Sequence, residues 1–182
     1  MKNDFEIRGD ITAIFLNSPK HGNSETLIDT FDLDKVKNFP NRWGMALNKE
    51  GYNFYCRGKV YLPNGKSKTI YLHRFITDCP KGLLVDHYDH DTLNNTRKNL
   101  RLATPSENQQ NRKGAEKDSS TGIRGVHWIK RDKVYLAKLR LNGEEIRLGY
   151  YKKVEEAEKA VIEARTRYMP FSKEIIIQED FR

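Results

Sequence analysis

The sequence predicts an α+β fold assembled from several small elements. Runs rich in β-branched and aromatic residues, separated by Gly, Pro and Asn turn signals, predict short strands along most of the chain. The clear helix signals occupy two stretches, one directly after residue 104 and one over residues 154–168. With 182 residues, 37% of them hydrophobic, the chain can bury one or two small cores. We therefore expect a small β-rich N-terminal region, a strand-strand-helix unit, and finally a three-stranded antiparallel sheet packed on one α-helix.

The composition excludes several classes of protein and favours an anionic partner. The chain carries 33 Lys and Arg against 25 Asp and Glu, a formal net charge of +8. No window approaches the roughly 18 consecutive apolar residues of a membrane span, and the N-terminal residues lack the apolar core of a signal peptide. We therefore expect a cytoplasmic protein without a membrane partner. Cys56 and Cys79 stand far apart in the sequence without a CxxC spacing, which excludes a zinc ribbon and disfavours a disulfide framework.

The first part of the chain predicts strands and one tight hairpin. Residues 5–16 favour one or two strands, and residues 25–40 favour a short helix or loop that ends at Pro40. Residues 52–62 and 67–75 are predicted to pair as a β-hairpin, because the Asn64-Gly65 turn between them favours positive φ. We assign residues 1–60 to a β-rich region whose role the sequence does not indicate.

The middle of the chain, residues 61–113, is predicted to form one unit. Residues 83–87 and 100–104 are strand candidates, and a long polar loop, residues 88–99, lies between them. A loop of this length commonly has a function. A capping-box pattern at Thr104 to Glu107, with proline at the first helical position, predicts a helix that begins at 105 and continues to 112.

The C-terminal part is predicted to be a separate domain. Residues 114–122 are rich in Ser, Gly and charge and predict a linker. Three strand-like runs follow, with turn residues between them, and then an amphipathic helix over residues 154–168. We assign residues 123–170 to this sheet-plus-helix domain and residues 171–182 to a tail.

Basic residues concentrate on one predicted face of the C-terminal sheet. Alternation along the middle strand places Tyr135, Ala137 and Leu139 on the side of the helix and leaves the other face to basic residues. The residues expected on or beside this exposed face are Lys138, Arg140, Arg147, Arg124, His127 and Lys130. A basic ribbon of this kind fits the DNA major groove, whereas the alternative is a solvated face without a partner.

The same segment resembles a known DNA-binding domain. The runs RGVHW, AKLRLNG, IRLGYY and VEEAEKAV are similar to those of the APETALA-two/ethylene-response-factor type of domain, over about residues 122–169. The resemblance implies double-stranded DNA as the partner and the basic residues of the exposed face as its contacts. That family often has arginine in place of His127 and an aromatic residue in place of Arg147, so its sequence preference is not transferred. Trp128 falls with Val126 toward the core by strand parity, which favours packing over DNA contact.

Asp86 and His87 end the first strand of the middle unit and suggest hydrolytic chemistry. Phosphodiester hydrolysis needs a water made nucleophilic and a positive charge beside the phosphate. His87 can take a proton from water near neutral pH. Asp86 alternates to the opposite side of the strand, so a base and a cation can be placed separately.

The motifs of this segment resemble the HNH family of endonucleases. The runs that carry this resemblance are LHR at 72–74, VDH, NN, NLR and SEN, and the likeness covers about residues 70–113. It is closest in kind to phage and intron homing endonucleases with a ββα-metal site, which often carry a plant-type DNA-binding unit after the HNH unit. The resemblance implies that Asn108 is a second metal ligand beside Asp86, and that Asn99 fixes the loop and orients His87. The oxygen ligands of Asp86 and Asn108 suggest Mg²⁺, with Mn²⁺ tolerated.

Two neighbouring residues leave alternatives open. Arg112 lies one turn after Asn108 and either contacts a phosphate or is an ordinary surface arginine. His73 is expected in the second strand of the hairpin, where packing or a structural hydrogen bond is favoured over catalysis.

The sequence as a whole predicts a metal-dependent, homing-type HNH DNA endonuclease, targeted by its C-terminal domain. Its partner is double-stranded DNA, without a small-molecule cofactor, and its state is a monomer or weak dimer. The resemblance implies a phage-encoded protein that acts in the cytoplasm of a bacterial host. Two alternatives stay open at this point: a catalytically inactive, HNH-derived DNA-binding regulator, and an RNA nuclease or toxin.

Overall fold

The computed structural model describes residues 1–48 and 53–173. The chain divides into two compact units, Met1–Thr104 and Pro105–Arg182. Each unit has a hydrophobic core of its own. Several small antiparallel sheets and a few short helices make up the fold, as expected for an α+β protein. Residue 52 of the predicted hairpin and most of the predicted tail lie outside the described residues.

The first sheet of the N-terminal unit is a three-stranded antiparallel sheet. Its strands, in spatial order, are β1 (Phe5–Arg8), β2 (Ile11–Ser18) and β3 (Gly22–Asp29). The prediction of one or two strands over residues 5–16 is confirmed. The prediction of a short helix or loop over residues 25–40 is wrong for its first part, which belongs to β3. Thr26 and Ile28 are fully buried in β3, because they alternate with exposed or half-buried positions and pair with β2.

A short helical segment follows this sheet. A 3-10 turn (Thr30–Asp32) leads into α1 (Leu33–Lys37), which ends three residues before Pro40 as the helix-or-loop prediction required. Leu33 and Val36, three positions apart, face the core together.

The second sheet contains the predicted hairpin. Its strands are β4 (Trp43–Leu47), β5 (Phe54–Tyr61) and β6 (Ser67–Tyr71), in that spatial order. The turn between β5 and β6 contains Gly65 at φ +76°, which confirms the turn prediction. The second predicted strand was too long, because residues 72–76 form the helix α2 (Leu72–Ile76). Leu72 and Ile76 are buried while Arg74 between them is not, which fits the helical spacing, because a strand would turn all three to one face.

The N-terminal core joins both sheets and the two short helices. Phe39 stacks on Trp43 with ring centroids 4.0 Å apart, and Phe75 meets both rings. Gly58 lies directly against Phe39, since a Cβ at this position would come within 2.3 Å of the phenyl ring. One face of β5 therefore packs on the core, and the opposite face of the strand points away from it.

A two-stranded hairpin completes the first unit. It pairs β7 (Leu84–His87) with β8 (Leu100–Ala103) in an antiparallel register that sets Asp86 opposite Arg101. Both strand predictions are confirmed, and residues 88–99 form the connecting loop. The helix α3 (Pro105–Gln110) follows in the chain, beginning at the predicted residue and ending two residues early. Because α3 belongs to the second unit, the ββα arrangement of β7, β8 and α3 stays a prediction.

The second unit is a sheet covered by a helix. Its strands, in spatial order, are β11 (Glu144–Tyr151), β10 (Val134–Leu141) and β9 (Val126–Ile129), followed in the chain by α4 (Val154–Tyr168). Ala157 and Val161 of α4 pack on Val126 and Ala137 of the sheet. The three-stranded antiparallel sheet packed on one helix is therefore confirmed.

Two local features differ from the expectations for this unit. Residues 114–122, the predicted linker, contain no helix or strand, yet the Thr121 hydroxyl donates to the Val126 carbonyl at 2.8 Å and Ser120 accepts from the Trp128 amide at 3.1 Å. The prediction of core packing for Trp128 is wrong: the residue is 38% exposed, and its ring contacts that of Tyr135, its cross-strand partner. Within the described residues, none of the helices combines the length and the apolar character of a membrane span.

Candidate active site

The polar loop 88–99 is anchored to the N-terminal sheet. The main-chain amide of Asn95 donates to the Leu27 carbonyl of β3 at 2.7 Å, and the main-chain amide of Leu27 donates to the Leu93 carbonyl at 3.0 Å. Leu27 and Asn94 also form a parallel β-bridge. The edge of β3 therefore continues into the loop, and the N-terminal region supports the segment that contains the candidate catalytic residues.

An arginine fastens the end of the loop. The Arg97 guanidinium donates to both carboxylate oxygens of Asp32, at 2.7 and 2.8 Å, and its amide donates to Asp29 at 2.6 Å. Asp32 is only 2% exposed, so this pair is shielded on one side from water. The hydrogen bonds to Asp32 raise the pKa of Arg97, since they stabilise its charged form.

Asn99 closes the loop on itself. Its side-chain oxygen accepts from the Asp89 amide at 2.8 Å, and its side-chain nitrogen donates to the Asn94 carbonyl at 2.8 Å. Burial alone would raise the pKa of Asp89, but hydrogen bonds from Asn94, the Asp91 amide and Asn99 lower it overall. The loop-fixing role expected of Asn99 agrees with these contacts.

His87 lies at the end of β7 in a nearly closed aromatic environment. Its ring is 5% exposed and meets the rings of His73 and Tyr55, at centroid distances of 5.2 and 6.0 Å. Its Nε2 lies 3.3 Å from Oδ1 of Asn95. Burial lowers the pKa of His87, and the hydrogen bond with Asn95 and the neighbouring aspartates offset only part of that effect.

A chain of hydrogen bonds determines the protonation of the His87 ring. The Thr26 hydroxyl must donate to the Leu93 carbonyl, 2.7 Å away, because a carbonyl only accepts. Asn95 Nδ2 donates to that same hydroxyl at 2.7 Å, so the amide turns its oxygen toward His87. This oxygen also only accepts, and Nε2 of His87 must therefore be the donor. In the neutral ring the basic lone pair then belongs to Nδ1.

His73 borders the same site from the helix α2. It is 7% exposed, and its Nδ1 has no hydrogen-bond partner within the described residues. Burial, followed by the proximity of His87 and Arg74, lowers the pKa of His73 to about 3. The histidine is therefore neutral at physiological pH, in keeping with a packing role against His87, although it belongs to a helix and not to the predicted strand.

Asp86 points to the other side of β7 and is held by an arginine. Nε and Nη2 of Arg101 both lie 2.7 Å from Oδ2 of Asp86, and the aspartate is 7% exposed. These two contacts fix the orientation of the carboxylate. Within the described part of the chain, no group of three or more His, Cys, Asp or Glu residues could hold a metal ion. Carboxylate and amide oxygens, as in Asp86 and Asn108, are hard donors that fit Mg²⁺ or Mn²⁺ with further positions taken by water and phosphate.

Asn108 and Arg112 belong to the second unit. Asn108 lies half-buried on α3, and Arg112 lies exposed after it and pairs with Glu116 at 3.0 Å. The joint binding of one metal ion by Asp86 and Asn108 thus stays a prediction, as does phosphate contact by Arg112.

The candidate DNA-contact residues of the second unit share a sheet face. The register sets Lys138 opposite Arg147 and Arg140 opposite Glu145, and residues paired in this way point to the same side. His127 lies opposite Leu136, whose side chain alternates to that side as well. Lys130, exposed, directly follows β9.

Glu145 adds an acidic residue to this basic face. Its carboxylate lies 2.7 Å from Nζ of Lys138 and 3.5 Å from Nε of Arg147. The hydrogen bond from Lys138 lowers the pKa of Glu145. The two cations are therefore partly neutralised in the free protein.

Arg124 has a structural partner that the sequence did not indicate. Its guanidinium donates to the main-chain carbonyls of Gln109, Gln110 and Arg112, at 3.1, 2.9 and 2.8 Å. Arginine near a helix C-terminus commonly satisfies carbonyls that lack a helical partner. Arg124 thus ties the end of α3 to the strand that begins the sheet, and its role as a DNA contact stays a prediction.

The sequence segment that contains the loop and its buried histidine matches a known family. Residues 72–110 match the family model described as HNH endonuclease. The chain carries an HNH endonuclease domain. This HNH domain includes Asp86, His87, Asn95, Asn99 and Asn108, so the resemblance drawn from the motifs of the middle unit is confirmed at the level of the family.

Two relatives extend this match. The protein named Uncharacterized HNH endonuclease L560 of Acanthamoeba polyphaga mimivirus is 37% identical over 123 residues, which cover 63% of this chain and 57% of that protein. Protein 3.8 of Escherichia phage T7 is 36% identical over 66 residues, which cover 36% of this chain and 54% of that protein. The chain therefore spans just over half the length of these curated relatives. No solved structure matches the chain.

Sequence reasoning missed two residues that hold the His87 ring in place. It assigned the orientation of His87 to Asn99, whereas Asn95 contacts the ring and Thr26 contacts Asn95. The Asn94-Asn95 pair was visible as a motif, but its two members cannot be told apart by spacing. Thr26 lies 69 positions before Asn95, and no local signal connects them.

Proposed function

We propose that this protein is a metal-dependent HNH endonuclease that hydrolyses DNA phosphodiester bonds, with His87 as the general base. The observation that carries this proposal is the buried His87 ring, fixed through Nε2 by Asn95 within the HNH domain. A neutral imidazole held in a fixed orientation is what proton abstraction from water requires.

The hydrogen-bond chain indicates which atom of His87 acts. Because Nε2 carries the proton, Nδ1 takes the proton from the attacking water. The water oxygen then forms a bond to phosphorus, and the bond from phosphorus to the leaving sugar oxygen breaks. The lowered pKa of His87 keeps the ring in its basic form at neutral pH. General base catalysis of this kind contributes about 10²- to 10⁴-fold to the rate.

Asp86 and Asn108 are the residues proposed to hold the divalent cation. A bound Mg²⁺ or Mn²⁺ would supply positive charge beside the phosphate oxygens. Arg101 supports this role because its two N–H groups hold the Asp86 carboxylate in one orientation. Asn99 contributes indirectly by holding the loop that follows His87 and contains Asp89.

The basic face of the second unit is proposed to direct the enzyme to duplex DNA. Lys138, Arg140 and Arg147 share this face with His127, which fits contact with phosphates and base edges. The ethylene-response-factor-type character of this unit, and homing as the biological role, rest on the motif resemblance.

The direct test is cleavage of phage and host duplex DNA with Mg²⁺ or Mn²⁺ by the wild type and by His87→Ala. We expect the variant to lose about 10²- to 10⁴-fold in rate while it binds DNA normally in a gel shift at fixed salt. His21→Ala is the matched control, since it removes a histidine that lies in the turn between β2 and β3 and meets the Phe54 ring edge-on.

Two outcomes would contradict this function. If the wild type binds DNA and cuts none with either metal ion, the inactive DNA-binding regulator becomes the better description. If the wild type cuts RNA in preference to duplex DNA, the chemistry stands and the proposed substrate is wrong.

A further inference from the structure

The strand β5 presents a uniform row of tyrosine and basic side chains on its outer side. Cys56 and Gly58 face the core, with Cys56 only 1% exposed and Gly58 against Phe39. The residues that alternate with them therefore face outward. We call this surface the Tyr-basic face, and its members are Tyr55, Arg57, Lys59 and Tyr61 of β5 with Tyr71 of β6.

Strand pairing adds Tyr71 to the row. The register sets Tyr71 opposite Arg57, and cross-strand partners project to the same side of a sheet. Tyr61 is 71% exposed and Tyr71 36% exposed. Exposed tyrosines between cations are not explained by core packing, whereas they are typical of surfaces that contact nucleic acids.

The charge of the segment is one-sided. From Asn53 to Thr77 the sequence contains no Asp or Glu, while it contains five basic residues, Arg57, Lys59, Lys66, Lys68 and Arg74. Within the described residues, neither Arg57 nor Lys59 forms an ion pair. This contrasts with Lys138 and Arg147 of the second unit, which share Glu145. A polyanion would offset the uncompensated charge.

The Tyr-basic face leads directly to the candidate base. The Tyr55 ring lies 6.0 Å from the His87 ring, and Tyr71 stacks on His73 at 5.5 Å. From Tyr55 to Tyr61 the strand covers about 20 Å at roughly 3.3 Å per residue. This length corresponds to about six phosphates of one DNA strand, at 3.4 Å per phosphate.

We propose that the Tyr-basic face binds the sugar-phosphate backbone of duplex DNA next to the phosphate that His87 hydrolyses. Arg57 and Lys59 contact phosphates, and the tyrosines pack on sugars and donate hydroxyl protons to phosphate oxygens. This inference rests on the proposed nuclease function and gives a role to a sheet for which the motifs indicate none. The N-terminal region thereby contributes a DNA surface separate from that of the second unit.

The test compares two double variants of the full chain that remove the same charge. Arg57→Gln/Lys59→Gln alters the Tyr-basic face, and Lys66→Gln/Lys68→Gln is the control, with Lys66 in the turn and Lys68 opposite Val60 on the other side. Binding of a fluorescent mixed-sequence duplex is measured without divalent metal over a range of salt concentrations. Far-UV circular dichroism and thermal unfolding establish that both variants are folded.

We expect the Tyr-basic variant to lower the slope of log affinity against log salt by about two, because each phosphate contact contributes about 0.9. Its affinity should fall by about tenfold or more at low salt, with the control close to wild type. Equal losses in both variants, or no loss in either, would overturn the proposal. So would a loss of RNA binding by the Tyr-basic variant with duplex binding unchanged.

The binding test gives its result whether or not the protein cuts DNA. Cleavage by the wild type is measured separately with Mg²⁺, so a failure to cut any DNA contradicts the catalytic function without altering the salt slopes. If the Tyr-basic variant cuts DNA normally and its salt slope is unchanged, the proposed DNA-binding role of the Tyr-basic face is wrong and the catalytic function stands.

Discussion

The two units of the molecule place their candidate functional residues in opposite environments. In the first unit, His87, Asn95 and Asp86 are at most 7% exposed, and protein hydrogen bonds hold their side chains. In the second unit, Lys138 and Arg147 lie on an open sheet face and pair with a neighbouring surface carboxylate, that of Glu145. The difference follows from what each task needs. Proton transfer requires a fixed geometry, whereas a DNA-contact residue must be accessible and free to exchange partners.

The energetic consequences of the two environments also differ. A buried polar group that loses its partner costs about 1–3 kcal/mol. An exposed ion pair contributes about 0–1 kcal/mol, and salt screens it. We therefore expect mutations of the buried site residues of the first unit to change catalysis and stability together, and mutations on the basic face of the second unit to change DNA affinity alone.

The largest effect is expected at Asn95. Asn95→Ala removes the acceptor for Nε2 of His87 and the donor to Thr26, so the ring loses its fixed orientation and tautomer. Cleavage should slow by about 10²-fold, since small displacements of a catalytic group have effects of that size. The free energy of unfolding should fall by about 1–3 kcal/mol. Cleavage kinetics and urea unfolding measure the two quantities.

Asn17→Ala is the control for this substitution, because Asn17 is exposed near the end of β2 and away from the loop. A variant at Asn95 that cuts DNA at the wild-type rate would show that the hydrogen bond to His87 has no part in positioning the base.

An intermediate effect is expected in the pH dependence of stability. The pKa of His73 is about 3 in the folded protein and about 6.5 when unfolded. Between these values the unfolded chain binds more protons, so the free energy of unfolding rises with pH and falls on acidification below about 6.5. One such group accounts for about 2 kcal/mol between pH 7 and pH 5.

His73→Phe should remove this part of the pH dependence while it keeps an aromatic ring against His87. Urea unfolding of the wild type and the variant at pH 7 and pH 5 gives the comparison. An identical loss of stability in both proteins would mean that His73 is not the buried neutral group the structure describes.

The smallest effects separate two arginines of the second unit. Arg147→Ala should weaken duplex binding and reduce the salt slope by about 1, because Arg147 lies on the open face. Arg124→Ala should leave the slope near the wild-type value and lower the free energy of unfolding by about 0.5–1.5 kcal/mol, because three partly exposed carbonyls lose their donor. Fluorescence binding titrations at several salt concentrations, with thermal unfolding alongside, distinguish them. A slope that falls for Arg124→Ala as it does for Arg147→Ala would assign both residues to DNA.

Much of the fold follows from local patterns. The period-two alternation of β5 and the Asn-Gly turn after it predict the hairpin, and the spacing of Ala157, Val161 and Ala164 predicts α4. These signals succeed because alternation and helical spacing arise from backbone geometry alone. The helix α2 shows the limit of such patterns, since five residues between two strands carry too little periodicity to distinguish a helix turn from a strand end.

By itself, the sequence determined the chemistry that is available: a histidine and an aspartate on opposite sides of one strand, within motifs that match the HNH family. Only the tertiary structure decided how that chemistry is arranged. In the folded protein Asn95, and not Asn99, contacts the His87 ring, and Arg124 donates to the carbonyls at the end of α3. The physical reason is that a hydrogen bond needs two groups within about 3 Å, a condition that depends on packing between segments far apart in the chain. Residue type and local spacing, which depend on neighbours alone, cannot express it.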